Sequence, residues 1–156
     1  IRHLAAMGER VVAESARAVI RDQREAGGRG LPWLDPALFC DLTAARDTAA
    51  FDELAGETRR IFFDRGIIDS WRSNGVEPTA TLREMVRTRR YNRQVFVFPP
   101  WREIYATDAE RRQDWDEAEA TFGRILRNLA ELDYLPVVVP KADLALRAAF
   151  VLDRSA

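Results

Sequence analysis

Four short apolar runs recur along the chain, and each one stops abruptly at an acidic residue or at proline. The runs occupy residues 10–13, 60–63, 94–98 and 135–139. Between them lie longer stretches in which apolar residues recur at helical spacing. Short strands that alternate with amphipathic helices are typical of parallel strands joined by helical crossovers. The pattern predicts an α/β fold in three layers, with a mostly parallel sheet flanked by helices.

The segments between the runs carry the start signals of helices. Asp35 followed by Pro36 has the form of an N-cap with proline at the first helical position. The buried face of that helix is predicted to carry Leu38, Leu42, Ala45 and Ala49. Thr81 and Glu84 have the spacing of a capping box that opens a later helix. Further helices are predicted over residues 14–26, 115–132 and 141–152.

Composition limits the kinds of site that the chain can build. With 156 residues, 47% of them hydrophobic, the chain has the size of one domain with a substantial core. Cys40 and His3 are the only residues of their types, which argues against an internal disulfide, a cysteine zinc site and a Ser-His-Asp triad. Any metal is therefore expected to rest on oxygen ligands, as Mg²⁺ does.

Charge and hydropathy narrow the possible partners. The formal net charge is −1, so no strong overall field attracts nucleic acid or an acidic membrane. No apolar run approaches the roughly 20 residues that cross a bilayer, and we expect a soluble, cytoplasmic protein without membrane insertion. Of the 24 basic residues only Lys141 is lysine. Arginine grips carboxylates and phosphates bidentately, although a base-composition bias of the genome explains the same preference.

Acidic residues follow the first two apolar runs directly. Because parallel α/β sheets bind ligands at the carboxyl ends of their strands, Glu14 and Asp64 are candidate site residues. Asp64 could hold Mg²⁺ through water while Arg65 contacts a phosphate and Gly66 lets the backbone come close. Glu14 could act as a general base or a metal-shell acid. Both acids also have a structural explanation, Asp64 as part of a turn and Glu14 as an acid favoured by a helix dipole.

Residues 101–114 combine aromatic and arginine side chains in a loop that follows two prolines and runs into a helix. One interpretation is a lid that folds over a phosphorylated ligand, and the other is a solvent-facing connection. The exits of the third and fourth strands, at residues 99–102 and 140–141, are expected at the same sheet edge as Glu14 and Asp64. Arginines interleaved with aromatics can bind single-stranded nucleic acid. The balanced charge and the lack of a known nucleic-acid-binding motif argue against that function.

The order of five segments is the most specific feature of the chain. These are RVVAESAR, LPWLDP, FFDRG, YNRQVFVFPPWREIYATDAERRQ and RAAFVL. Their order resembles the AAA-like P-loop ATPase family, whose relatives include the nicotinamide riboside kinase domain of NadR-type proteins. That family begins with a strand and a glycine-rich phosphate loop ending in GK[ST]. We therefore expect residues 1–156 to form a single P-loop NTPase-like domain lacking its first strand and phosphate loop, which would lie just upstream of residues 1–6.

The resemblance implies roles for individual residues. Asp64 takes the acidic position near Mg²⁺, Arg65 reaches the transferring phosphate or the acceptor, and Glu14 orients or deprotonates the acceptor hydroxyl. The lid arginines, which neutralise charge on the γ-phosphoryl group, are Arg102, Arg111 and Arg112. The residues that fall where the adenine ring is received are Pro140, Lys141 and Ala142.

The function implied by the resemblance is that of an ATP-binding P-loop protein with Mg²⁺ as cofactor. It would be a kinase that phosphorylates a small hydroxyl-bearing metabolite such as a nucleoside. The alternative is a nucleotide-dependent regulatory or binding module for ATP, GTP or a phosphoinositide, with little or no kinase activity. The partners implied are a nucleotide and a small-molecule acceptor.

Overall fold

Two compact units make up the protein. A computed structural model describes residues 1–104 and 115–155, and the chain divides into a first unit, Ile1–Tyr91, and a second unit, Asn92–Ala156. Each unit contains one pair of parallel strands. The expectation of a single P-loop domain over residues 1–156 stays a prediction.

The first unit is built on two three-residue strands. Strand β1 is Arg10–Val12 and strand β2 is Ile61–Phe63, and they pair in parallel with Val11 opposite Phe62. The helices of this unit are α1 Arg2–Ala6, α2 Ala16–Glu25, α3 Pro36–Glu53 and α4 Ala80–Thr88. Two 3₁₀ turns, Ile67–Ser70 and Ser73–Gly75, lie between β2 and α4. Helices α2 and α3 thus form the crossover between two parallel neighbours.

The second unit repeats this arrangement with fewer helices in its described part. Strands β3 Gln94–Val97 and β4 Leu135–Val138 pair in parallel, with Val97 opposite Val138. The remaining elements are a 3₁₀ turn, Arg102–Ile104, and the helices α5 Trp115–Glu131 and α6 Leu144–Arg154. Of the helices in the described part of the chain, none is long and apolar enough to cross a membrane.

The four predicted strands and the parallel direction of each pair are confirmed. The described strands pair two by two, as β1 with β2 and β3 with β4. Ile61, Phe62 and Phe63 of β2 are all half-buried. A two-stranded sheet leaves each strand one edge without a partner, so its side chains are covered less completely than those of a central strand.

The buried face of α3 differs from the prediction. Cys40, Ala44 and Asp47 are the buried residues of this helix, whereas Leu38 and Ala45 are exposed. The predicted stripe and the observed one share the same helical spacing and are offset by two residues, which is about 200° around a helix. Because α3 carries alanine and leucine on both faces, periodicity did not identify the inner one.

Side-chain caps fix where the helices begin. As predicted, Asp35 caps α3, and its carboxylate accepts a hydrogen bond from the Leu38 amide at 3.1 Å. Helix α4 starts two residues earlier than predicted, because Thr79 rather than Thr81 is its N-cap and accepts from the Leu82 amide at 3.0 Å. The Thr79 hydroxyl also donates to Asp41 Oδ1 at 2.7 Å, which ties α4 to α3.

Replacing each of the two threonines with alanine tests this cap. Thr79→Ala removes the bonds to the Leu82 amide and to Asp41, and we expect it to lower the free energy of unfolding by about 1–2 kcal/mol. Thr81 is exposed inside α4, so Thr81→Ala should change it by less than about 0.5 kcal/mol. Urea unfolding of both variants measures the difference, and equal effects would contradict the assignment of Thr79 as the cap.

Candidate functional site

The carboxyl ends of β1 and β2 leave their small sheet side by side. The Asp64 amide donates a hydrogen bond to the Val12 carbonyl at 2.8 Å, which extends the parallel pairing by one step. Glu14 and Arg65 follow directly and meet in a salt bridge, with Arg65 Nε 3.2 Å from Glu14 Oε1. The predicted convergence of Glu14 with the residues after β2 is therefore present in the first unit.

A small polar pocket lies beside these strand ends. Its volume is about 40 Å³, which is room for about three water molecules. The polar side chains around it are Glu14, Ser15, Thr43, Asp47, Arg65, Asp69, Ser70 and Ser73. These side chains come from the end of β1, from α3 and from the segment after β2. Three carboxylates and one guanidinium therefore share one concave surface.

Arg65 has an uncommon backbone conformation at the edge of this pocket. Its φ is 66°, in the left-handed region that few residues other than glycine adopt. Glu14 Oε2 also lies 3.6 Å from Arg17 Nε, so two guanidinium groups flank this carboxylate. Backbone strain of this kind occurs where surrounding structure holds a residue in place, and it is common at functional sites.

The segment after Arg65 is a tight turn held by side chains. The Gly66 amide donates to Asp69 Oδ2 at 2.9 Å, and the Ile67 amide donates to the Tyr91 hydroxyl at 3.1 Å. A Cβ at position 66 would lie 2.6 Å from the Tyr91 hydroxyl oxygen, so glycine is required there. The stretch is thus a turn, as the structural alternative held, and the Asp69 carboxylate closes it. The same turn brings Arg65 and Asp69 to the pocket.

Asp47 is the site residue that sequence reasoning missed. It is 4% exposed and forms a hydrogen bond with Ser15. Burial raises the pKa of Asp47 from 3.8 to about 6, and this rise is opposed by the Ser15 bond. The nearby carboxylates of Asp69 and Glu14 raise this pKa further, whereas Arg46 lowers it. The signal in the sequence was an acid three residues after Ala44, on the stripe that turned out to be the inner face of α3.

Asp69, a further acid of the pocket, differs from Asp47 in its surroundings. Desolvation also raises the pKa of Asp69, whereas the Arg65 charge and the Gly66 amide lower it. The residue is exposed, in contrast to Asp47. The pKa of Asp69 is nevertheless raised overall, as that of Asp47 is, and the charges of Glu14 and Asp64 add to the rise.

Two residues of α3 complete the wall of the pocket. Cys40 is buried, and this burial, with the charge of Asp41, raises the pKa of its thiol against a hydrogen bond from Ser73. The Thr43 hydroxyl oxygen is buried and has no hydrogen-bond partner among the described residues. The pocket thus contains a polar atom whose bonding capacity the described protein leaves unused.

Asp64 lies next to the pocket without lining it. The residue is exposed at the end of β2, and no ion pair to it exists within residues 1–104 and 115–155. Those residues also contain no group of three histidine, cysteine or carboxylate side chains that could hold a metal ion. Mg²⁺ is usually bound by one or two carboxylates together with waters and phosphates. A single exposed Asp64 fits that mode, and the catalytic roles of Glu14, Asp64 and Arg65 stay predictions.

The remaining predicted site residues belong to the second unit. The Val139 amide donates to the Val97 carbonyl at 2.9 Å, so the exits of β3 and β4 also leave one end of their sheet. Arg102 lies over the Trp115 ring at 5.5 Å, whereas Arg111 and Arg112, with most of the predicted lid, lie outside the described residues. The connection from β4 to α6 holds Pro140, Lys141 and Ala142. Their binding roles stay predictions.

Comparison with known proteins gives one match. A family model described as an AAA domain matches residues 1–147. No curated protein and no solved structure was found to match the chain. The matched range includes all the residues of the pocket and both pairs of strands.

The pH dependence of stability tests the state of Asp47. Its pKa is higher in the folded state than the ordinary value of 3.8, so the folded protein binds more protons and stability falls as pH rises from about 4 to above 6. A rise to about 6 corresponds to a loss of up to about 3 kcal/mol at neutral pH. Asp47→Asn should therefore stabilise the protein at pH 7.5, with a gain that disappears near pH 4.

Asp52 provides a control of opposite sign. Its hydrogen bond with Arg89 lowers the pKa of Asp52, so Asp52→Asn should destabilise the protein at neutral pH and have no effect at low pH. Urea unfolding at a series of pH values measures both variants. A loss of stability at pH 7.5 in Asp47→Asn would show that Asp47 is ionised and paired in the folded protein.

Proposed function

This chain belongs to the AAA domain family, and on that premise we propose that it binds ATP and transfers the γ-phosphoryl group to a small hydroxyl-bearing metabolite such as a nucleoside. Family membership indicates a nucleotide-binding protein of the P-loop class. The kinase activity rests on one observation, the pocket where Glu14, Asp47 and Asp69 meet beside Arg65. A pocket rich in acceptors at the ends of parallel strands is suited to an acceptor hydroxyl.

Glu14 is the residue best placed to receive the acceptor proton. Phosphoryl transfer depends mainly on positioning and charge, and a general base must lie within hydrogen-bond reach of the proton it takes. Glu14 lines the pocket, and its contact with Arg65 at 3.2 Å fixes the direction of its carboxylate. An acceptor hydroxyl in the pocket would therefore point its proton at an oriented carboxylate.

The charge of the pocket favours a neutral acceptor. Carboxylates only accept hydrogen bonds, and three of them surround a space of about 40 Å³. A sugar hydroxyl that reaches into this space would donate to those acceptors, whereas a phosphate group of an inositol phosphate would bring negative charge against them. This argument supports the kinase over a module that binds phosphoinositides.

The residues also fit the expected cofactors. When bound, Mg²⁺ supplies neutralisation of the phosphate charge during transfer, and Asp64 is the carboxylate that would hold it through water. Tests of catalysis use the natural protein. Arg102, Arg111 and Arg112 keep their proposed role as lid arginines, and Pro140, Lys141 and Ala142 their proposed role beside the adenine ring.

Substitution of Glu14 separates transfer to an acceptor from hydrolysis by water. Glu14→Gln should abolish phosphoryl transfer to a nucleoside and spare the slow release of phosphate from ATP, since water does not need to occupy the acceptor pocket. Both rates are measured on one preparation with labelled ATP. The matched control is Glu9→Gln, which removes a carboxylate that lies just before β1 and pairs with Arg60 at 2.6 Å. This variant should leave the ratio of the two rates unchanged. Equal loss of both activities in Glu14→Gln would favour the regulatory module.

A thermal-shift panel identifies the class of ligand directly. ATP, GTP, nucleosides and inositol phosphates are added separately, and a ligand at 100 times its Kd stabilises the native state by about 2.7 kcal/mol. We expect shifts with ATP and with a nucleoside. A shift with inositol phosphates and none with any nucleoside would contradict the proposed acceptor and favour the regulatory module.

A further inference from the structure

An aromatic cluster of Phe51, Phe63 and Tyr91 packs against the end of β2. The Tyr91 ring packs edge-on against Phe51 of α3, with centroids 5.2 Å apart, and against Phe63 of β2, with centroids 5.1 Å apart. Phe51 and Phe63 are themselves in contact at 6.4 Å. Edge-to-face packing of this kind fixes the orientation of the central ring. The direction of the Tyr91 hydroxyl is therefore set by two neighbouring elements of the first unit.

The hydroxyl of Tyr91 reaches the backbone of the turn after β2. It accepts a hydrogen bond from the Ile67 amide at 3.1 Å, and Ile67 is fully buried. A buried amide needs a partner, since water cannot replace it. The Gly66 backbone lies so close to this hydroxyl that no larger residue fits. The turn thus rests directly on Tyr91.

The same turn carries two charged residues of the pocket. Arg65 precedes it in a left-handed conformation and contacts Glu14 at 3.2 Å. Asp69 closes it by accepting from the Gly66 amide at 2.9 Å. Consecutive amides of the turn are therefore bound by Asp69 and by Tyr91. A shift of the Ile67 amide would move both Arg65 and Asp69 relative to Glu14.

We propose that Tyr91 is a positioning residue of the pocket, whose hydroxyl holds the Gly66–Ile67 backbone and thereby places Arg65 and Asp69. Phenylalanine at this position would keep the contacts with Phe51 and Phe63, so the hydroxyl is the group that distinguishes positioning from packing. The consequence for phosphoryl transfer rests on the proposed function, whereas the hold on the turn does not.

Hydrogen exchange of the Ile67 amide tests the hold on the turn. In Tyr91→Phe we expect this amide to exchange about fivefold faster or more, while amides of β1 and α2 keep their rates. The matched control, Tyr134→Phe, removes a hydroxyl from a buried tyrosine of the second unit and should leave Ile67 unchanged. An unchanged Ile67 rate in a folded Tyr91→Phe protein overturns the proposal. Should that variant not fold, the natural protein still decides, because exchange of its Ile67 amide at the rate of an unstructured peptide overturns the proposal as well.

Kinetics separate positioning from a purely structural role. In protein that transfers phosphate, Tyr91→Phe should lower kcat about tenfold or more with the KM for ATP unchanged, because small displacements of catalytic groups slow transfer strongly. Faster Ile67 exchange together with an unchanged kcat overturns the positioning role. If the natural protein transfers no phosphate, the proposed function fails, and the exchange of the Ile67 amide alone then decides whether Tyr91 holds the turn.

Discussion

The parallel pairing of β1 with β2 is the constraint on which the candidate site depends. Three residues of each strand pair, and the bond from the Asp64 amide to the Val12 carbonyl carries the pairing past the last strand residue. This register sets Glu14 beside Arg65. A slip of one residue would reverse the faces of every side chain on the strand, and the carboxylate and the guanidinium would no longer meet. The geometry of the polar pocket therefore depends on the pairing of two very short strands.

Helix α3 contributes a buried acid, Asp47, whose ionisation is unfavourable for the stability of the folded protein. Asp47 lies on the inner face of the helix, and its burial opposes ionisation. Acids with strongly perturbed pKa values are frequent at functional sites, because the environment that perturbs them is also the one that binds substrates. Around Asp47, the Ser15 hydrogen bond lowers the pKa and the carboxylates of Asp69 and Glu14 raise it. The raised pKa of Asp47 is consistent with the function proposed for this pocket.

Sequence reasoning predicted the helices and strands, but it did not predict which side chains of different elements meet. The strands, the Asp35 cap and the meeting of Glu14 with the residues after β2 follow from local signals, namely apolar runs, capping residues and strand exits. The inner face of α3 could not be chosen because two apolar stripes compete on one helix. Thr79 was missed because capping depends on the backbone at the helix start and on Asp41, a residue distant in sequence. Asp47 and Tyr91 act only through contacts between elements, and no local pattern marks such contacts.

The backbone conformation of Arg65 affects how this protein would respond to selection for thermal stability. Its left-handed conformation is easier for glycine or asparagine than for arginine. Selection for thermal stability would therefore favour replacements of Arg65, because relief of backbone strain stabilises the folded state. Each such replacement would remove the guanidinium that orients Glu14. Thermal stability and the geometry of the pocket should therefore place opposite demands on residue 65. A directed-evolution experiment that selects for thermal stability alone would lose the contact between Arg65 and Glu14.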